Sequence, residues 1–174
     1  MIKTPTCRAE RQEVNGGNQK LKISLGSDHG GLNLKEQVKV YLLEGGHEIA
    51  DFGTSTNESC DYPDFGFAAA EAVAKGECDR GIVFCTNGVG ISMVANKVPG
   101  IRCALCSEPL SAKMTRLHND ANMLALGGSY IGINLALEIV RVFLDTPFSD
   151  EENHRRRVEK ILAKEKEYGS VLPE

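Results

Sequence analysis

RGIVFCTNGVGISMVANK, residues 80 to 97, decides the fold class of this chain. Gly81 to Cys85 form an unbroken apolar run between Arg80 and Thr86, the pattern of a strand covered on both faces. Asn87, Gly88 and Gly90 then mark a turn, and Ile91 to Lys97 read as a short helix. A buried strand that passes through a tight turn into a helix is the opening of a βαβ unit.

The same alternation continues in both directions. Upstream, LKISLGS (21–27) reads as a strand and leads into a helix from Leu32 to Leu43, closed by Glu44-Gly45-Gly46. HEIADFG (47–53) is a second strand, and the alanine-rich segment from Asp61 to Lys75 a helix with Pro63 near its start. Downstream follow strand GIRCALC (100–106), helix Glu108 to His118, strand NMLALGG (122–128) and helix Ile131 to Leu144. A charged helix from Glu151 to Tyr168 comes last. Five strands alternating with helices predict an α/β fold, a three-layer αβα sandwich around a Rossmann-like, doubly wound, five-stranded parallel sheet. Residues 1–20 lack periodicity and are expected to be a flexible leader before a single domain, 21–174. Ligands bind such sheets beyond the carboxyl ends of the strands. That rule points to Ser27–Gly31, Gly53-Thr54, Cys85–Gly90 and Ser107-Glu108.

Composition narrows the function. A net charge of −4 gives no global attraction for nucleic acid or an anionic membrane. No apolar run approaches the roughly 20 residues of a spanning helix, and the polar start carries no secretory-type segment, so a cytoplasmic location is expected. Six cysteines, several inside apolar strands, read as reduced core residues. Cys103-Ala-Leu-Cys106 has no second pair or histidine to complete a zinc site, and no metal is expected.

The loops carry the chemistry. Successive N–H groups in Thr86-Asn87-Gly88-Val89-Gly90, at the start of a helix, form a concave donor array suited to an anion. The same field favours thiolate over thiol at Cys85. In GSDHGG, Asp28 and His29 stand side by side among three glycines; the bland reading makes Asp28 a helix cap and His29 a solvated loop residue. In RLHNDAN, His118 closes a helix that Asn119 could cap. In NHRRRVEK, three arginines crowd a helix start, which opposes the dipole unless an anion offsets it. His47 reads as a surface residue.

Taken in order, GSDHGG, DYPDF, the cysteine before GVGIS and ANK, GIRCAL, SEPLSA, RLHNDAN and HRRRVEKI resemble the type B ribose-5-phosphate isomerases and the related galactose-6-phosphate isomerases. The match runs from Leu21 to about Ile161. The resemblance implies an aldose–ketose isomerase of the non-oxidative pentose phosphate pathway, converting ribose 5-phosphate to ribulose 5-phosphate through an enediolate without metal or organic cofactor. It implies a homodimer, or a higher homo-oligomer, with active sites shared between subunits. By position Cys85 is the general base; relatives with a glutamate base would carry it where Ile91 stands. Asp28 and His118 match ring-opening residues, with His118 reaching across the dimer. His29 and Arg157 match phosphate contacts, Asn119 a hydroxyl contact, and Asp61-Tyr62 a pocket wall. Thr86, Asn87, Gly88, Val89, Gly90 and Ser92 complete the expected site, with Asn87 in a catalytic position.

Three positions depart from the family pattern. Asn87 replaces a threonine, Tyr130 an arginine, and Asn153 a second arginine, for which Arg155 or Arg156 could substitute. These departures leave open another sugar phosphate (galactose 6-, allose 6- or a tetrose 4-phosphate) or a non-catalytic sugar-phosphate-binding module. A dinucleotide enzyme fits less well, because GSDHGG lacks the G-x-G-x-x-G spacing. A redox protein built on Cys103 and Cys106 fits least.

Overall fold

A computed structural model describes residues 20–171. The elements run β1 (Lys22–Ser27), α1 (Leu32–Glu44), β2 (Glu48–Asp51), α2 (Tyr62–Ala74), β3 (Arg80–Cys85) and α3 (Val89–Ala95). They continue β4 (Cys103–Leu105), α4 (Pro109–Asn119), β5 (Met123–Gly127), α5 (Ile133–Asp145) and α6 (Glu152–Val171). The strands form one sheet in the order β2-β1-β3-β5-β4, every neighbouring pair parallel. The fold read from the alternation is therefore the one observed. The predicted leader, apart from Lys20, lies outside the described residues.

Strand order and right-handed crossovers together fix the layers. The chain moves one way from β1 to β2 and from β4 to β5, and the other way from β2 to β3 and from β3 to β4. Helices of like direction share a face: α2 packs on α3, while α1 and α4 both pack on α5. Period-two alternation in β3 feeds both layers. Ile82 and Phe84 join Leu25, Val38, Leu126 and Phe143 in one core, and Val83 and Cys85 join Ala69, Ile91 and Ala125 in the other. Each large side chain fully withdrawn from water contributes about 1.5–3 kcal/mol.

The alanine face of α2 allows it to lie close on β1. A Cβ on Gly26 would sit 2.6 Å from the Phe65 carbonyl oxygen, so that position leaves no room for a side chain. This close approach carries the start of α2, with Asp61 and Tyr62, to the carboxyl end of the sheet.

β1 and β3 are neighbours, yet the chain leaves them in opposite directions. The crevice between their carboxyl ends is the topological switch point where such sheets bind ligands. The loop after β1 and the turn after β3 flank it.

Candidate active site

Cys85 ends β3 and is 4% exposed. Its apolar side packs in the core with Val83, Ile91 and Ala125. On its polar side, the Gly88 N–H donates to Sγ at 3.1 Å, and the Asn87 side-chain oxygen lies 3.8 Å away. Gly88 reaches this geometry in the left-handed region, at φ +78°, where glycine carries no steric penalty.

α3 starts at Val89, two residues before its predicted start. The extra turn has a local cause: Asn87 Oδ1 accepts the Val89 N–H at 3.0 Å. This corrects the donor array expected over residues 86 to 90. The Gly88 and Val89 amides are already engaged, and the Asn87 carboxamide has its NH₂ left to donate. Gly90 and Ile91 supply first-turn amides, the class of donor a helix leaves without an internal partner. Ser92 is buried, and its hydroxyl donates to the Val89 carbonyl at 2.7 Å, bracing the turn. Thr86 and Asn87 are exposed.

The loop after β1 closes against this turn. Gly30 lies on Thr86, and a Cβ at Gly31 would sit 2.5 Å from the Phe84 carbonyl carbon. Such close approach accounts for the glycines around Asp28 and His29. Asp28 is 5% exposed, and its Oδ1 accepts the Gly31 N–H at 3.0 Å. It does not cap α1, whose N-cap is Gly31. His29 Nδ1 accepts the Cys60 N–H at 3.2 Å, so the neutral ring carries its proton on Nε2. Tyr62 lies against Gly90, where a Cβ would come within 2.7 Å of the ring, and Asp61 is exposed beside it. Asp28, His29, Tyr62, Cys85 and Asn87 thus gather around one crevice.

His118, Asn119 and Arg157 do not join them within the chain. Gly81 pairs with Met123 and Cys85 with Gly127. Four residues of strand, about 13 Å at the usual rise, separate the start of β5 from the level of Cys85. His118 and Asn119 end α4 just before that start, at the opposite end of the sheet.

There they form a second cluster. The His118 ring stands 4.3 Å from that of His154. Arg155 and Arg156 are tied to Asp150 and Glu152, which offsets their charge at the start of α6. Arg157 has no carboxylate partner among the described residues. Asn119 is not the helix cap; Asp120 takes that place at φ +45°. Its carboxylate binds Arg116 at 2.7 Å and Arg102 at 3.0 Å, fixing the turn after His118.

Sequence reasoning missed this clamp, because arginines and an aspartate in a polar turn look like solvated charge. It also missed Lys35, 1% exposed, which binds Asp51 and the Thr54 carbonyl and ties the loop after β2 to α1. A lysine amid Leu34, Val38 and Leu42 was the available signal. His47 accepts the Leu21 N–H at 3.2 Å, so it is a strand-end anchor rather than a free surface residue. Burial raises the Cys103 thiol and pushes Cys106 to about 11, opposite to what a redox dithiol requires. Two surface cavities, of about 190 and 590 Å³, lie at Tyr41–Arg141 and at Lys35–Asp51, away from Cys85.

Among the described residues no helix is long and apolar enough to cross a membrane, and no group of histidine, cysteine and carboxylates is arranged to hold a metal.

Residues 23–161 match the family model described as Ribose/Galactose Isomerase. The ribose-5-phosphate isomerase B of Escherichia coli is 46% identical over 142 residues, covering 82% of this chain and 95% of the relative. A galactose-6-phosphate isomerase subunit of Clostridium acetobutylicum is 40% identical over 139 residues, covering 80% of each. The solved ribose-5-phosphate isomerase B of Clostridium thermocellum superposes with a TM-score of 0.82 at 56% identity, covering 84% of this chain and 99% of that one.

Proposed function

Because the chain belongs to the ribose/galactose isomerase family, we propose that it interconverts ribose 5-phosphate and ribulose 5-phosphate, within the non-oxidative pentose phosphate pathway. The observation that carries this reading is the Cys85 sulfur at the switch-point crevice, with the Gly88 N–H on it and the Asn87 carboxamide beside it.

The reaction moves one proton between C1 and C2 through an enediolate, and proton transfers alone balance it. Cys85 is the base that takes and returns the carbon-bound proton. The Asn87 NH₂ and the Gly90 and Ile91 amides face the oxygens on which negative charge develops; one such donor is typically worth 10²–10³ in turnover. Thr86, Gly88 and Val89 shape the turn that presents them. Asp28 and His118 open the furanose ring. His29, through Nε2–H, and Arg157 hold the phosphate, Asn119 binds a hydroxyl, and Asp61 and Tyr62 wall the pocket. Anchoring the phosphate converts distant binding energy into placement of the reacting carbons.

The two clusters lie at opposite ends of one sheet, so the working site takes His118, Asn119 and Arg157 from a second copy. A homodimer is also supported by apolar side chains left exposed beside the crevice, with Val89 38%, Met93 62% and Leu105 43% accessible. Free Cys60, Cys78, Cys85, Cys103 and Cys106 fit a reducing, cytoplasmic setting.

A second reading keeps the chemistry and changes the sugar. Arg157 stands without the arginines that Tyr130 and Asn153 replace, and a galactose-6-phosphate isomerase subunit is among the relatives. Initial rates across ribose 5-, galactose 6-, allose 6- and tetrose 4-phosphates decide between them. Ribose 5-phosphate is expected to give the highest kcat/KM. Another sugar ranking far above it moves the assignment within the family, and binding without turnover of any of them favours the binding module.

A further inference from the structure

His154 is 8% exposed, and nothing in the reaction outlined above uses it. It lies in the first turn of α6, with its ring 4.3 Å from the His118 ring, centroid to centroid, and tilted by 36°. Its Nδ1 pairs with Ser149 Oγ at 2.8 Å. Ser149 is itself fixed from two sides. Its N–H donates to the Leu117 carbonyl at 3.2 Å, next to His118, and its Oγ accepts the Glu151 N–H at 3.4 Å. The segment between α5 and α6 therefore fastens the inner imidazole to the end of the helix that carries the outer one.

Two features make simple core filling a poor account of His154. A buried imidazole costs free energy unless its polar atoms are paired, and an apolar residue would fill the same gap without that cost. The ring it packs against, moreover, is that of an exposed histidine at the end of α4.

We infer that His154, anchored by Ser149, is a positioning residue that fixes the plane of the His118 ring for opening the sugar. The inference rests on the ring-opening role given to His118 above. An exposed imidazole samples several rotamers, and ordering a mobile side chain costs about 0.5–1.5 kcal/mol. Packing against an anchored ring removes most of that cost before substrate arrives, an effect of up to roughly tenfold in rate.

The chemistry of the two sugars isolates this step. Ribose 5-phosphate is a closed furanose that must open. Ribulose 5-phosphate is open, because its carbonyl is at C2 and the C5 oxygen needed for a five-membered ring is esterified. A defect in ring opening therefore slows turnover of the aldose. Exchange of the ketose C1 hydrogen with solvent needs only the base and the enediolate donors.

The test uses the full chain carrying Ser149→Ala, which removes the anchor at a loop position. His154→Gln, which keeps a polar partner for Ser149 and removes the ring, is the second variant, and His118→Ala is the reference. Turnover of ribose 5-phosphate and deuterium uptake at C1 of ribulose 5-phosphate in D₂O are measured for each. Ser149→Ala and His154→Gln are expected to lose about tenfold in aldose turnover while uptake stays at the wild-type rate. His118→Ala should show the same split with a larger loss. Wild-type turnover in both test variants overturns the inference, and so does an equal loss of turnover and uptake, which marks general damage. If His118→Ala itself loses uptake along with turnover, the ring-opening role fails, and that outcome is distinct from a silent Ser149→Ala.

Discussion

The backbone N–H of Gly88 points back across the turn after β3 and donates to the sulfur of Cys85 at 3.1 Å. Gly88 makes this bond because it sits at φ +78°. A donor held there fixes where the sulfur sits at the mouth of the crevice. The strand end, the left-handed glycine and the sulfur thus form one unit.

Gly88→Ala tests that unit. A Cβ there would meet the Leu126 carbonyl carbon at 2.9 Å, in a backbone region that alanine adopts at a cost. A loss of about 1–3 kcal/mol is expected in urea denaturation. Turnover should fall more steeply than stability does, because the N–H moves off the sulfur.

The opposed positions of Cys85 and His118 make a complementation experiment possible. Cys85→Ala and His118→Ala proteins are each expected to have little aldose turnover. Mixed after partial denaturation and refolding, they form heterodimers with one site intact in two, and random pairing should restore about a quarter of the wild-type activity. No recovery, with heterodimers verified by mass, contradicts sharing of the site.

Asp120 holds the turn after His118 through Arg116 and Arg102. Arg116 is 3% exposed, so Asp120→Ala leaves a buried guanidinium short of a partner. Stability should fall by about 2 kcal/mol, in the range for hydrogen bonds to charged groups. KM should rise as well, since Asn119 belongs to the same turn. Thermal melts and initial rates check the two effects separately.

Asp51 gives a pH signature. Burial pushes its carboxyl upward, but hydrogen bonds from Lys39, Lys35 and the Gly53 N–H, with the Lys35 charge, outweigh it and hold the group below the usual value. A lowered folded value means the stabilisation is complete above the unfolded pKa of about 3.9 and is lost as pH falls through the folded value. Asp51→Asn should therefore be clearly less stable than wild type at neutral pH. The gap should close in strong acid, read by urea denaturation across the range.

The fold was legible because each buried strand between amphipathic helices carries its own periodic signal, and parallel pairing follows from the alternation. The Cys85 corner and the Asp28-His29 loop were legible too, since glycines mark where backbones approach closely. The direction of individual N–H groups was not. That the Val89 amide turns to Asn87 depends on a side-chain bond within the turn, which spacing does not encode. His154 escaped notice for a similar reason: its burial comes from α6 folding onto α4, a contact between segments 36 residues apart in the sequence numbering of His118 and His154.

Replacing the sulfur measures the central claim directly. Cys85→Ala should lose about 10²–10⁴ in ribose 5-phosphate turnover, the usual worth of a positioned base. Its affinity for the sugar phosphate, measured by calorimetry, should be preserved. Turnover remaining close to wild type would contradict the account, because the proton would then be moving by way of another group.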